Sequence, residues 1–104
     1  MPKFVFAYHG GRKPESPQEG EKVMAEWRDW FAAMGAAVID PGNPVGPSRT
    51  VRAKAVDSHG GANPLSGYSL VMADDLDAAV EMAKGCPILA DGSVEVAEAI
   101  EIGM

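Results

Sequence analysis

Ser16-Pro17-Gln18-Glu19 limits the fold of this chain more than any other stretch. A serine can accept a backbone N–H at a helix start, and a proline at the first helical position has no N–H to leave unpaired. A glutamate three residues after the serine can reach back to the serine amide. Val23, Trp27, Trp30, Phe31 and Met34 then fall on one stripe, while Glu21, Lys22, Glu26 and Arg28 take most of the remaining surface. Gly35 stands where a left-handed residue would close the helix. The pattern predicts an amphipathic helix over 16–34, and its aromatic stripe must be buried against something.

The flanking segments supply strands. Phe4, Phe6 and Tyr8 alternate with Val5, Ala7 and His9 ahead of Gly10-Gly11, which reads as a strand apolar on both faces. Beyond the helix, Ala36-Ala37-Val38-Ile39 is a short strand, interrupted by the proline- and glycine-rich run from Asp40 to Pro47. A strand pattern resumes from Thr50 to Val56, so 36–57 reads as one irregular or broken strand with a loop in it. A second loop from Asp57 to Ser66 leads to a third strand over 68–73.

Asp74-Asp75-Leu76-Asp77 opens a second helix with capping carboxylates at the positive end of its dipole. Leu76, Ala79, Val80 and Ala83 form its expected buried stripe, and Gly85 with Pro87 ends it. After an Asp91-Gly92 turn, Val94, Val96, Ile100 and Ile102 alternate with Glu95, Ala97, Ala99 and Glu101 in a final strand. Glu98 shares the parity of the apolar set. It points into that face if the strand is regular, or into solvent at a bulge or strand end.

The order β-α-β-β-α-β is the split βαβ arrangement of a ferredoxin-like α+β fold, one domain over 1–104. Right-handed crossovers place both helices on one face of an antiparallel sheet. The other face would be bare, yet the first and third strands are apolar on both sides. Val5 and Ala7 oppose Phe4, Phe6 and Tyr8, and Leu70 and Met72 oppose Val71 and Ala73. A large apolar face is rarely left open to water, and the simplest cover is a second copy related by a two-fold axis. A homodimer through the open sheet face is therefore expected.

The composition narrows partners and setting. A formal charge of −6, with the nine Lys and Arg residues scattered, disfavours nucleic acid and anionic membranes, which call for a basic patch. The single cysteine, Cys86, allows no intrachain disulfide. The N-terminal apolar run is too short for a signal peptide, and no stretch approaches the ~18 apolar residues of a membrane span. A cytoplasmic setting is the expectation. The two histidines lie about fifty residues apart with no ligand-spaced cluster around them, so no metal is expected. No phosphate loop or dinucleotide fingerprint calls for a cofactor.

Several short motifs carry a resemblance. Gly67-Tyr68 leads a strand, Ala73-Asp74-Asp75-Leu76-Asp77-Ala78-Ala79 enters a helix, and Gly85-Cys86-Pro87 and Gly92-Ser93-Val94-Glu95-Val96 follow. With the aromatic first strand, the Trp-containing helix and the Pro-Gly loop, the chain resembles the YCII-related (DGPF) family along nearly its whole length. The resemblance implies a dimeric α+β barrel. It also implies a family of largely unassigned role, some members of which are suspected of enzymatic activity because a His and an Asp lie in a pocket. The family's Asp-Gly-Pro-Phe motif is absent. Asp57-Ser58-His59-Gly60-Gly61-Ala62-Asn63-Pro64-Leu65 stands in its place, with Asp57 as the residue offered for the family aspartate.

Candidate site residues cluster at the strand ends. His9 closes the first strand and could act as a general acid or base near neutral pH. Asp40 and Asp57 leave strands toward loops and could orient it, although Asp-Pro is also an ordinary turn starter. Asn43, His59 and Asn63 lie in long loops of the kind that carry binding groups, Arg49 could hold an anion, and Tyr68 opens the third strand. Trp27 and Trp30 read as core residues, and Cys86 as packing rather than nucleophile. These residues leave open a small-molecule enzyme using His9 with Asp40 or Asp57, a non-catalytic dimeric binding module, and a purely structural dimer.

Overall fold

The computed structural model describes residues 1–103. The strands are β1 (Lys3–Gly10), β2 (Val38–Asp40), β3 (Thr50–Val51), β4 (Val56–Asp57), β5 (Leu65–Met72) and β6 (Gly92–Ala99). The helices are α1 (Pro17–Met34) and α2 (Leu76–Ala83), with single 3-10 turns at Gly35–Ala37 and Pro87–Ala90. Four strands form one antiparallel sheet in the order β2-β5-β1-β6, the ferredoxin-like arrangement, and β3 pairs with β4 in a separate two-stranded hairpin.

The helix starts follow the expected chemistry with one shift. Ser16 Oγ accepts the Glu19 amide at 3.1 Å, but the Glu19 carboxylate accepts from the Glu15 amide, one residue ahead of the serine. At the far end Gly35 has φ 57° and donates its N–H to the Phe31 carbonyl. Asp75 caps α2 by accepting the Ala78 amide at 2.8 Å.

Both helices lie against one face of the sheet. Phe4, Phe6 and Tyr8 of β1 and Ser69 and Val71 of β5 are buried there with Ala73, Trp30, Ala79, Ala83 and Cys86. Trp30 joins three elements: its ring stacks on Phe6 at 5.9 Å and its indole N–H donates to the Met82 carbonyl at 3.0 Å. Trp27 meets Trp30 edge-on at 5.7 Å and Tyr8 at 5.0 Å, geometries that favour aromatic quadrupoles. On the opposite face Val5, Ala7, His9, Tyr68, Leu70 and Met72 are half-buried, and among the described residues no helix lies over them.

Three local readings need correction, and the one left open for Glu98 falls to the solvent side. Thr50 to Val56 is not one strand, because Arg52 N–H donates to the Ala55 carbonyl and turns the chain back into the β3–β4 hairpin. The final strand ends at Ala99, opposite Lys3 where β1 begins; Ile100 and Ile102 have no strand beside them and are exposed. Glu98, one residue from that end, is exposed too. In α2 only Ala79 and Ala83 are buried, with Ala78 and Met82 packed partly against the core. Leu76 and Val80 sit on the flank, where they edge an open groove with Leu89, Val94 and Val96.

The resulting chain is a slab of 45 × 44 × 19 Å. Its radius of gyration is 15.1 Å, against about 13 Å for a compact domain of this length. It exposes 7300 Å², against about 5600 Å² for a compact monomer of its mass. Among the described residues no helix is long and apolar enough to cross a membrane.

Candidate functional site

A cavity of about 280 Å³ opens between α1, the loop after β2 and the start of β5. Met24, Trp27 and Phe31 of α1 form one wall, and Tyr8 forms the floor. Residues 41–44 and 66–68 form the opposite wall, and Ile88 completes it. The size is at the small end for ligand pockets, and the surface is mainly aromatic and aliphatic.

The loop wall is fastened to the sheet along its length. Asp40 Oδ1 accepts the Gly42 amide at 2.8 Å, Tyr68 N–H donates to the Asn43 carbonyl at 3.3 Å, and Val45 N–H donates to the Ser66 carbonyl at 3.1 Å. Gly42 has φ 71°, and a β-carbon there would overlap the carbonyl oxygen of Tyr68. Both facts demand glycine.

The polar groups at the cavity are few. Tyr8 donates its hydroxyl to Ser69 Oγ at 2.7 Å, and Ser69 donates onward to the Pro41 carbonyl at 2.6 Å. Burial pushes the Tyr8 hydroxyl well above the ordinary phenol range; the bond to Ser69 opposes this in part, and the nearby Cys86 adds to it. Tyr8 is thus held as a neutral phenol. Ser66 Oγ is buried at the cavity wall and has no hydrogen-bond partner among the described residues. The lining contains no carboxylate, imidazole, amine or guanidinium.

Of the residues singled out in the sequence, Asn43 and Tyr68 line this cavity, as does Trp27. His9 does not. It sits on the open sheet face, where Nδ1 lies 3.0 Å from the Asn63 carbonyl and Nε2 lies 3.1 Å from Glu95 Oε1. Its side chain is 15% exposed and that of Glu95 71%. Both ring nitrogens face acceptors, so this arrangement is fully satisfied only when both carry hydrogen.

The carboxylate beside His9 is therefore Glu95, and not Asp40 or Asp57. Asp40 is occupied in its turn with Gly42, the ordinary role of an Asp-Pro-Gly sequence. Asp57 receives both the Nε and an Nη of Arg52 at 3.0 Å within the hairpin. His59 accepts the Gly61 amide through Nδ1 and holds its own loop, while Arg49 is exposed on the approach to β3. Asn63 takes part through its backbone carbonyl. Cys86 is buried under the helices with its thiol pushed up to about 11 by that burial, which suits packing rather than nucleophilic attack.

Two residues of interest carried no local signal. Glu95 is registered with Ala7 and His9 with Ser93, so the pair is diagonal across two strands. Ser66 is the extra residue where the β1–β5 register shifts: Tyr8 pairs with Gly67, His9 with Leu65, and Ser66 with neither.

No family model and no curated protein sequence matches the chain. In three dimensions it is similar to 5-chloro-2-hydroxyhydroquinone dehydrochlorinase (TftG) from Burkholderia phenoliruptrix AC1100, solved in complex with 2,5-dihydroxybenzoquinone. The match has 14% sequence identity and a TM-score of 0.53, and covers 99% of this chain and 96% of that chain. At such identity the likeness supports the shared α+β fold.

Proposed function

We propose that the chain is a small-molecule-binding protein of the YCII-related type, acting as a homodimer, with one ligand held in the cavity beside α1 of each copy. The observation that carries the binding reading is chemical. The cavity is walled by aromatic and aliphatic groups, and among the described residues its lining holds no carboxylate, imidazole, amine or guanidinium. Among the described residues the one histidine–carboxylate pair, His9 with Glu95, lies on the other face of the sheet. A site of this kind holds a neutral, flat ligand by shape and stacking.

The dimer is supported by the shape of the protomer. About 1700 Å² more surface is exposed than a compact monomer would show, comfortably above the roughly 800 Å² each partner buries in a standard interface. A cytoplasmic setting, where the thiol of Cys86 stays reduced, accords with this reading.

Calorimetric titration with neutral aromatic compounds such as phenol and indole tests it. Saturable binding at one ligand per protomer is expected for at least one compound. It should be lost in Met24→Trp, which fills the cavity from an exposed position on α1. Binding that is indifferent to Met24→Trp would overturn the assignment.

A catalytic reading draws on the His9–Glu95 contact, which a second copy packed on the open face would shield from water. In that reading Glu95 takes the place first considered for Asp40 or Asp57, and the site belongs to the interface rather than to the cavity. Turnover of a bound compound that vanishes in His9→Ala but survives Met24→Trp would favour it.

A further inference from the structure

The hairpin of β3 and β4 stands apart from the main sheet. Thr50 pairs with Asp57 and Val51 with Val56, and neither strand joins the other four. Residues directly opposite in an antiparallel pair share a face. On one face Thr50 Oγ1 donates to the His59 carbonyl at 3.0 Å, and Arg52 holds Asp57 through two nitrogens at 3.0 Å. On the other, Val51 is 77% exposed and Val56 61%. A two-stranded hairpin is at best marginally stable in water unless an apolar face is packed against something. This hairpin has such a face, held in shape by polar bonds on its reverse side and open to water.

Charge sets the hairpin apart as well. Arg49, Arg52 and Lys54 against the single Asp57 give residues 48–58 a net charge of +2, so the remainder of a chain of −6 carries −8. Arg49 and Lys54 are exposed, and neither meets a carboxylate among the described residues. A surface that fits the hairpin is therefore apolar at its centre and acidic around it, and a second copy of the chain offers both. The loop that leaves the hairpin meets the open sheet face, where the Asn63 carbonyl lies 3.0 Å from His9 Nδ1. That face carries Val5, Leu70 and Met72 together with Glu95, whose side chain is 71% exposed. From Ser48 to its turn the hairpin spans about 15 Å, against the ~10 Å between packed sheets, so it reaches a copy seated there.

We infer that the β3–β4 hairpin is an arm of the dimer: it lies on the second copy, with Val51 and Val56 against that copy's apolar surface and Arg49 and Lys54 beside its carboxylates. This rests on the open-face dimer proposed above and adds to it a contact outside the sheet. Apolar contact supplies the burial, and the opposite charges steer the two copies together. Under a two-fold axis each copy extends one arm and receives one, so the contact is made twice. An acidic partner of another kind calls for the same chemistry, but it would leave the dimer indifferent to changes in the hairpin.

Sedimentation equilibrium of the wild type, Val51→Ser/Val56→Ser and Arg49→Glu/Lys54→Glu tests the arm, each protein at about 50 mM and about 500 mM NaCl. The serine variant is expected to dimerise about ten-fold more weakly than the wild type at both salt concentrations. The glutamate variant should be about ten-fold weaker at low salt and come close to the wild type at high salt, where exposed charges are screened. Because the hairpin strands pair only with each other, both variants diluted to monomers should unfold at the urea midpoint of the equally diluted wild type, which also shows that they are folded. An unchanged dimer constant in either variant would overturn the arm and leave the open-face dimer standing. A shifted urea midpoint in the monomeric variants would mean that the hairpin supports its own chain, and would overturn the arm in the same way. A wild type that is monomeric at every concentration would overturn the arm and the dimer together.

Discussion

Phe4, Phe6 and Tyr8 are at most 4% exposed, whereas Val5 and Ala7, their immediate neighbours in the chain, remain half-open. The same division runs along β5, with Ser69 and Val71 sealed and Leu70 and Met72 half-covered. One face of the sheet is complete: it has two helices, interlocked aromatic rings and a closed chain of hydrogen bonds from Tyr8 to Pro41. The other has equally apolar strands and no roof. The difference is one of topology rather than composition, because right-handed crossovers send both helices to the same side. The first face holds the fold together, and the second is the face through which the dimer is proposed to form.

Substitutions on the two faces should separate these roles. Trp30→Ala removes the ring that ties α1 to Phe6 and α2, and should cost about 3–5 kcal/mol of unfolding free energy in a urea titration. A cost under about 1 kcal/mol would mean that the helix face is not the structural core. Leu70→Asp acts on the open face, where Leu70, Val5 and Ala97 form one cross-strand row. It should weaken the proposed dimer by about 2 kcal/mol or more per copy while the helix content persists. Sedimentation would then report monomers, and the midpoint of thermal unfolding would stop depending on protein concentration. A wild-type protein already monomeric at high concentration would break the comparison outright.

Ser69→Ala, again on the covered face, leaves the buried Tyr8 hydroxyl without its acceptor and should cost about 1–3 kcal/mol. Chemical denaturation of the variant beside the wild type reads that difference. The smallest effect is one of pH. Burial raises the Cys86 thiol from an ordinary 9.0 to about 11, so the folded state disfavours the thiolate more than the unfolded chain does. This stability is fully present below pH 9 and is lost as the pH rises toward about 11; Tyr8 acts in the same direction at still higher pH. The urea midpoint should fall over that range in the wild type and fall less in Cys86→Ala. Leu70→Asp, which touches no group of this kind, should keep the wild-type slope once both proteins are compared as monomers.

Much of the covered face could be read directly from the chain. The Ser16 cap, the Val23-to-Met34 stripe and the alternation of β1 and β5 each rest on a local rule with a fixed period, and the βαββαβ order follows from them. Readings failed where the outcome depended on what lies alongside a segment. Arg52-Ala53-Lys54-Ala55 carries no glycine or proline to announce the β3–β4 turn. Ile100 and Ile102 keep the strand alternation, but β1 starts opposite Ala99 and leaves them without a neighbour. The site was less legible still. His9 and Glu95 are 86 positions apart and meet only because β1 and β6 are neighbours in the sheet. Once that strand order is assumed, alternation does place Glu95 on the His9 face, so this pair was within reach. The bulge at Ser66 was not, since nothing in Leu65-Ser66-Gly67 distinguishes an extra residue from a paired one.

The seam that pins residues 41–45 to β5 bears on how a ligand would come and go. With Gly42 pressed against the Tyr68 backbone and the loop amides already paired, this wall is ordered before anything arrives. Little conformational entropy is then left to lose on that side, and pre-organised sites gain affinity by sparing that loss. Related compounds should therefore enter at similar rates and differ mainly in how long they stay, with residence time set by the contacts they make inside. What little adjustment entry needs falls to the opposite wall, where Met24 of α1 is 56% exposed and free to swing.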